Sequence, residues 1–190
     1  MVAIASTKDA VQVQLCAGLN ADDSARVLTA LAFVQPLYEG KVVTTGQTTL
    51  AFSQGVANVL ALLNTDVETR MAGLLFELLL IDPANSVIIE KHFGNETSDL
   101  VVGIRQLMRL HGFTFALPQE VMRGKNAAQQ AASQVETLRK MLLAMASDMR
   151  VVLVRLASRL AALRYFAAHK LQNERTSQYA HETLDLYAPL

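Results

Sequence analysis

A single cysteine, Cys16, is the whole thiol content of these 190 residues. An internal disulfide is therefore excluded, and the chain fits a reducing compartment. Cys16 lies in a weakly patterned stretch, where an incidental or structural role is expected. Turn formers are scarce too, with 9 Gly and 4 Pro, while 52% of the residues are hydrophobic and 18% charged. That balance disfavours a turn-rich β-sandwich and favours helices. Neither sign of charge is in surplus, because 17 Lys+Arg stand against 17 Asp+Glu. The fold as a whole then has no electrostatic pull on nucleic acid or on a membrane surface. The opening "MVAIASTKDAVQVQL" lacks the basic and long apolar regions of a signal peptide. The longest apolar run, Met71 to Ile81, is broken by Glu77 and falls short of the about 20 residues that a membrane span needs. These absences leave a cytoplasmic, all-α domain with no membrane partner, long enough to bury a core without staples.

What is present is helical periodicity. The first stretch, to about Asn20, is weakly periodic and is expected to be partly disordered. Asn20 or Asp22 is the expected cap of a helix to about Gln35, stopped by Pro36 and Gly40. "KVVTTGQTT" reads as a loop, and Leu50 to Leu63 as the next helix. In "NTDVETR", Thr65 and Glu68 have capping-box spacing ahead of a helix from about Asp66 to Ile81. That helix is apolar nearly all round, so it should be central, and Asp82-Pro83 ends it. A short helix over Ser86–His92, a loop "FGNETSD" and a helix over Leu100–Leu110 capped by Gly112 should follow. Pro118 and Glu120 open another helix, which passes the Ala- and Gln-rich Ala127 to Gln134 and reaches about Ala146. Met141 and Met145 in it suit gap-filling in a core.

The helix from about Asp148 to Lys170 carries a main apolar stripe of Met149, Val152, Leu153, Leu156, Leu160 and Leu163. Its other side, with Val151, Val154, Ser158, Ala161 and Ala162, is small rather than polar, so this helix too should be covered on two sides. Arg150, Arg155, Arg159 and Arg164 lie between the faces.

Few residues have the arrangement that chemistry requires. His92, His111, His169 and His181 show no ligand spacing with one another or with Cys16. His181 and Asp185, four apart, supply two potential ligands where a site needs three or four. "TTGQTT" is too weak to be a phosphate loop, and no nucleophile elbow is visible. The one conspicuous group is Glu77, inside "LLFELLLIDP". A carboxylate among leucines must be paired, protonated or metal-bound.

Three stretches nevertheless resemble one family. "FGNETSDLVVGIRQL", "VETLRKMLLAMASDMRVVLVRLASRLAALR" and "HETLDLYAPL" are similar, in order, to the N-terminal region of the RelA/SpoT enzymes, which make and degrade the alarmone (p)ppGpp. The resemblance runs from about Gln47 to Leu190 and implies an all-helical HD-domain-like bundle. It divides the chain into an N-terminal segment with the first helix (1–45), an HD-like unit (46–180) and the start of a connection to a synthetase domain (181–190). In hydrolytic members the resemblance implies a manganese ion held by a histidine, a His-Asp pair and a later aspartate, with a Glu-Asp pair assisting water. Such an ion lowers the pKa of its water and polarises the phosphoryl group.

Laid on this chain, that set is replaced. The first histidine falls on Phe52, the His-Asp pair on Phe76 and Glu77, and the Glu-Asp pair on Leu80 and Ile81. The late aspartate, in the family's "LADR", falls on Ser158, and a following His-Asn pair falls on Ala161 and Ala162. A nucleotide-binding arginine near the family's "SSGE" falls on Val43 or its neighbour. Glu77 alone keeps a metal-binding atom type, as the relic of a site refilled with side chains. Arg155 and Arg159 are its candidate partners, and a neutral, protonated Glu77 is the second option.

The pattern of loss resembles the RelA branch, whose hydrolase domain is degenerate. The expectation is therefore a catalytically inactive domain with no cofactor and no catalytic or metal-binding residue of its own, regulating the synthetase domain of the same chain. The parent activity implied is pyrophosphate transfer from ATP to GTP or GDP with Mg²⁺. Missing C-terminal modules would read the ribosome and uncharged tRNA. Two alternatives stay open: a residual metal-dependent phosphohydrolase built on Glu77, and a (p)ppGpp-binding sensor in which Phe52 and Phe76 stack on guanine.

Overall fold

The computed structural model describes residues 5–114 and 148–187. Among them are eight α-helices: α1 (Ala5–Leu15), α2 (Ala21–Leu37), α3 (Thr49–Leu62), α4 (Val67–Ile81), α5 (Asn85–Phe93), α6 (Asn95–Thr114), α7 (Met149–Ala168) and α8 (Glu174–Glu182). A π-helical turn, Thr183–Tyr187, follows α8. The described residues form no strand. Their one extended pairing is an isolated antiparallel bridge, Val42 to Thr48, inside the expected loop. The expected helix through Pro118, with Met141 and Met145, lies outside the described residues.

α4 is the axis, as its all-round apolarity predicts. Every residue from Thr69 to Leu79 is buried, with α2, α3 and α6 packed on it and α7 packed on α3. Gly73 sets how closely α3 approaches, since a Cβ there would lie 2.6 Å from Leu60 Cδ1. One apolar core runs from Leu15 and Val27 through Leu75 and Ile104 to Ala162.

Several local expectations change. Among the described residues of the first stretch, α1 is helical and Leu15 is fully buried. Its end is held by the buried Arg70, whose Nη1 donates to Leu15 O at 2.9 Å and Ala17 O at 2.8 Å, and whose Nε donates to Thr65 O at 3.0 Å. The signal in the sequence is an arginine inside an otherwise apolar helix, which needs carbonyl partners once buried. Asn20 caps α2, but Pro36 sits inside its last turn, where losing one N–H does not stop the helix: two residues on, Tyr38 N still donates to Val34 O at 2.9 Å. Asp66, not Thr65, caps α4 and accepts from Thr69 N at 2.8 Å. A carboxylate caps well and suits the positive end of the helix. Thr65 turns back and donates to Leu60 O at 3.2 Å. The expected loop "FGNETSD" contracts to a junction at Gly94, whose φ of 86° suits glycine, and α6 already begins at Asn95. Gly112 therefore lies within α6 rather than capping it.

In α7 the small-residue face is covered as expected, and the main stripe is covered only in part, with Val152 buried. Val151, Val154, Ala157, Ser158, Ala161 and Ala162 are buried, whereas Met149 and Leu160 of the main stripe are 60% and 39% exposed. Small side chains let α3 come close: a Cβ on Gly55 would lie 3.6 Å from Ala161 Cβ. Backbone proximity, not side-chain size, selects the buried face here.

Candidate functional site

The residues singled out in the sequence divide into a closed inner half and an open outer half. In the inner half, α3 brings Phe52 and α4 brings Phe76 into edge-to-face contact, with centroids 6.0 Å apart and planes at 67°. Both rings are buried. From α7, Ser158, Ala161 and Ala162 are buried too, and Ser158 Oγ donates to Arg155 O at 2.7 Å. Tyr38, the residue that caps the end of α2, is buried, its hydroxyl donating to Leu74 O at 2.9 Å. Burial first, and the nearby Glu77 carboxyl second, push the Tyr38 phenol well above its usual range.

Glu77 marks the boundary between the halves. It is 8% exposed. Burial lifts its carboxyl from the ordinary 4.5 to about 7, opposed by the positive charge of Arg155. Arg155 is thus the charge that Glu77 feels, without enough force to restore an ordinary carboxylate, and near neutrality both forms of Glu77 are populated. Arg159, the other expected partner, is engaged elsewhere. Its Nε donates to Thr183 Oγ1 at 2.9 Å, and its Nη2 donates to Tyr179 O at 2.7 Å and Glu182 Oε2 at 3.1 Å. Its guanidinium carbon sits 3.4 Å from the Tyr179 ring centroid.

The outer half is open. Leu80 and Ile81, at the last turn of α4, are 40% and 43% exposed. With Phe52, Glu77, Met108 and Arg155 they line a cleft of about 630 Å³, also bordered by the Lys41–Thr45 loop with Val43 and by Tyr179 and Glu182 of α8. Aromatic rings packed the space between α3 and α4, but Leu80 and Ile81 stand where α4 runs out of neighbours. The roles of Tyr38, Tyr179, Glu182 and Thr183 were not legible from spacing alone. The last three do share one turn of chain, but such polar runs are common on surface helices.

The other candidates stay apart. His92, His169 and His181 are exposed; His92 lies against Phe33 and His169 against Tyr165. Cys16 is half-buried, its Sγ 3.7 Å from Ser24 O. Among the described residues no three His, Cys, Asp or Glu side chains converge as a metal site, and no helix is long and apolar enough to cross a membrane.

The family described as "HD domain" matches residues 30–190. The chain belongs to the HD-domain family. This HD domain is 31% identical over 172 residues to the bifunctional (p)ppGpp synthase/hydrolase SpoT of Escherichia coli (strain K12), a match covering 90% of this chain and 22% of that protein. It is 31% identical over 161 residues to a GTP pyrophosphokinase of Myxococcus xanthus, covering 85% and 19%. With a GTP pyrophosphokinase of Streptomyces coelicolor the figures are 32% over 153 residues, 80% and 16%. The HD domain thus matches the RelA/SpoT (p)ppGpp hydrolase/synthetase family, and it spans about a fifth of the length of such relatives.

The side chains at the positions where the resemblance implies a manganese ion do not fit one. Phe52 and Phe76 offer hydrocarbon, Ser158 Oγ is turned to a backbone carbonyl, and Ala161 and Ala162 offer nothing. One carboxylate, Glu77, does not make a ligand set for a divalent ion.

Proposed function

We propose that this HD domain is a catalytically inactive (p)ppGpp-hydrolase-like domain of a RelA-type (p)ppGpp synthetase, acting structurally and regulatorily on the synthetase domain of the same chain in the cytoplasm. The observation that carries the reading is the Phe52–Phe76 contact. Two rings meet where metal-binding imidazoles are implied, and a hydrolase of this kind needs the ion to generate hydroxide near neutral pH. The parent activity is, on this reading, pyrophosphate transfer from ATP to the 3′-hydroxyl of GTP or GDP with Mg²⁺, by residues of that synthetase domain. Ribosome and uncharged tRNA would be met through further C-terminal modules. The proposed division keeps 1–45 as an N-terminal segment, 46–180 as the pseudo-hydrolase unit and 181–190 as the start of the connection.

The test is to incubate the chain with labelled ppGpp and Mn²⁺ and to follow pyrophosphate release, beside a melting curve with and without Mn²⁺. No release and an unchanged melting temperature are expected. Turnover, or a manganese-dependent rise in melting temperature, would establish the residual phosphohydrolase instead. The cleft beside Phe52 favours a second reading, the (p)ppGpp sensor. Saturable ppGpp binding without turnover in equilibrium dialysis would select it.

A further inference from the structure

Buried polar groups in a fold are ordinarily satisfied by hydrogen bonds. Arg70 follows the rule, with three carbonyls around its guanidinium. Glu77 does not. It is 8% exposed, and among the described residues no hydrogen bond or ion pair reaches its carboxyl. The positive charge of Arg155 acts on it without such a contact. A carboxyl supplied with N–H donors titrates low, whereas burial pushes this one up to about 7. Its acceptor positions are therefore unused, and Glu77 lines the cleft.

The surroundings of Glu77 select a kind of ligand. Phe52, Leu80, Ile81 and Met108 give the cleft apolar walls, and its volume of about 630 Å³ lies in the ordinary range for small molecules. Apolar walls around a convergent polar group are the usual make-up of such sites. The Phe52 ring favours an aromatic body, since ring pairs gain beyond their buried area. An anionic head group would meet the carboxylate form of Glu77. A cationic one would meet Arg155, whose charge already acts on Glu77. A neutral N–H donor meets neither penalty and supplies the hydrogen bond that Glu77 lacks. To an ionised acceptor such a bond is about twice as strong as between neutral partners.

We propose that the cleft is a binding site for a small neutral aromatic molecule with an N–H donor, an indole-type heterocycle, which donates to the Glu77 carboxyl and packs on Phe52, Leu80 and Ile81. Glu77 is then the group that orients the ligand, and the apolar walls supply the contact area. Whether the domain hydrolyses or senses (p)ppGpp does not enter, since such a ligand carries no phosphate.

The probe is indole, titrated into the 190-residue chain and read by its own fluorescence, which the absence of tryptophan leaves free of a protein indole signal. Indole is a donor only. 1-Methylindole has lost that donor, and 3-methylindole keeps it while carrying the same extra methyl group. Saturable binding of indole and of 3-methylindole at one site is expected, each about tenfold tighter than 1-methylindole. Glu77→Leu should bind all three alike, at the affinity of 1-methylindole for wild type. Ile81→Glu, at a half-exposed position of the cleft wall, should weaken all three about tenfold, because a charge then meets the apolar body. Val87→Glu, 68% exposed and outside the cleft, should change none of them. The proposal is overturned if wild type does not bind indole, or binds 1-methylindole as tightly. It is equally overturned if Glu77→Leu keeps the preference for the N–H, or if Ile81→Glu binds indole like wild type. A melting curve on each variant shows that it is folded; should Glu77→Leu not fold, the three probes on wild type and Ile81→Glu decide. Because ppGpp turnover is not read, these outcomes are separate from those that test the hydrolase reading.

Discussion

Phe52 and Phe76 meet edge to face across α3 and α4, 6.0 Å between centroids. An imidazole pair at these positions would have to turn its nitrogens toward a common ion, whereas two phenyl rings hold the helices together by contact alone. Phe76, 1% exposed, should cost about 3–5 kcal/mol when cut to alanine. A double-mutant cycle with Phe52→Ala should return about 0.5–1.5 kcal/mol of coupling. Urea unfolding measures both, and a coupling of zero would mean that the rings are neighbours without being partners.

Glu77 makes stability depend on pH in a direction opposite to that of a salt-bridged carboxylate. Its folded carboxyl titrates at about 7 against an ordinary 4.5. Between those values the folded chain holds a proton that the unfolded chain has released, so the derivative of unfolding free energy with pH is negative. The contribution is fully present below about pH 4.5 and is lost as pH rises through 7, on the order of 3 kcal/mol in all. Glu77→Gln should abolish this slope and be more stable than wild type at pH 8. Glu77→Leu should be tolerated for the same reason. Melting curves from pH 4.5 to 8 decide it. A wild-type stability that climbs across that interval, with the climb absent in Glu77→Gln, would place a satisfied, charged Glu77 in the fold.

Arg70 should prove costlier to lose than Glu77. Its guanidinium supplies three carbonyls, those of Leu15, Ala17 and Thr65, from a position 1% exposed. Arg70→Met keeps much of the volume but leaves those acceptors without their donor, at about 3 kcal/mol or more. Arg70→Lys should recover little, since one ammonium cannot reproduce the fork. Hydrogen exchange should show the loss first in α1. If α1 keeps its protection in Arg70→Met, the arginine does not hold it.

The axis of the fold was legible in the sequence because α4 is apolar on every side, and no surface helix has that pattern. The residues standing at the implied metal positions were legible only through resemblance; composition and spacing alone leave Phe52, Phe76 and Ser158 looking like any core residues. Three things were hidden for physical reasons. α1 lacks periodicity because its end is secured by Arg70 from another helix, not by an apolar stripe. The exposure of Met149 and Leu160 on α7 was hidden because closeness of approach favours alanine and serine over larger side chains. The open cleft was hidden because Leu80 and Ile81 look like core in any hydropathy pattern, and only the end of α4 leaves them half uncovered.

Ser158 gives the sharpest trial of the site. It is 2% exposed, and its hydroxyl is spent on Arg155 O at 2.7 Å. Ser158→Asp returns one oxygen ligand to the position where the resemblance implies the late aspartate, yet Phe52 and Phe76 still supply none. No manganese binding and no ppGpp hydrolysis should follow, because the ion needs several ligands at once. The new carboxylate also replaces a donor by an acceptor facing a carbonyl oxygen, in a space where small side chains already pack closely. Burying it without a donor is strongly penalised, so the melting temperature should fall in neutral buffer and partly recover at low pH, where the carboxyl is protonated. An unchanged melting temperature would show that position 158 reaches water, and with it that the small face of α7 is not the one packed on α3.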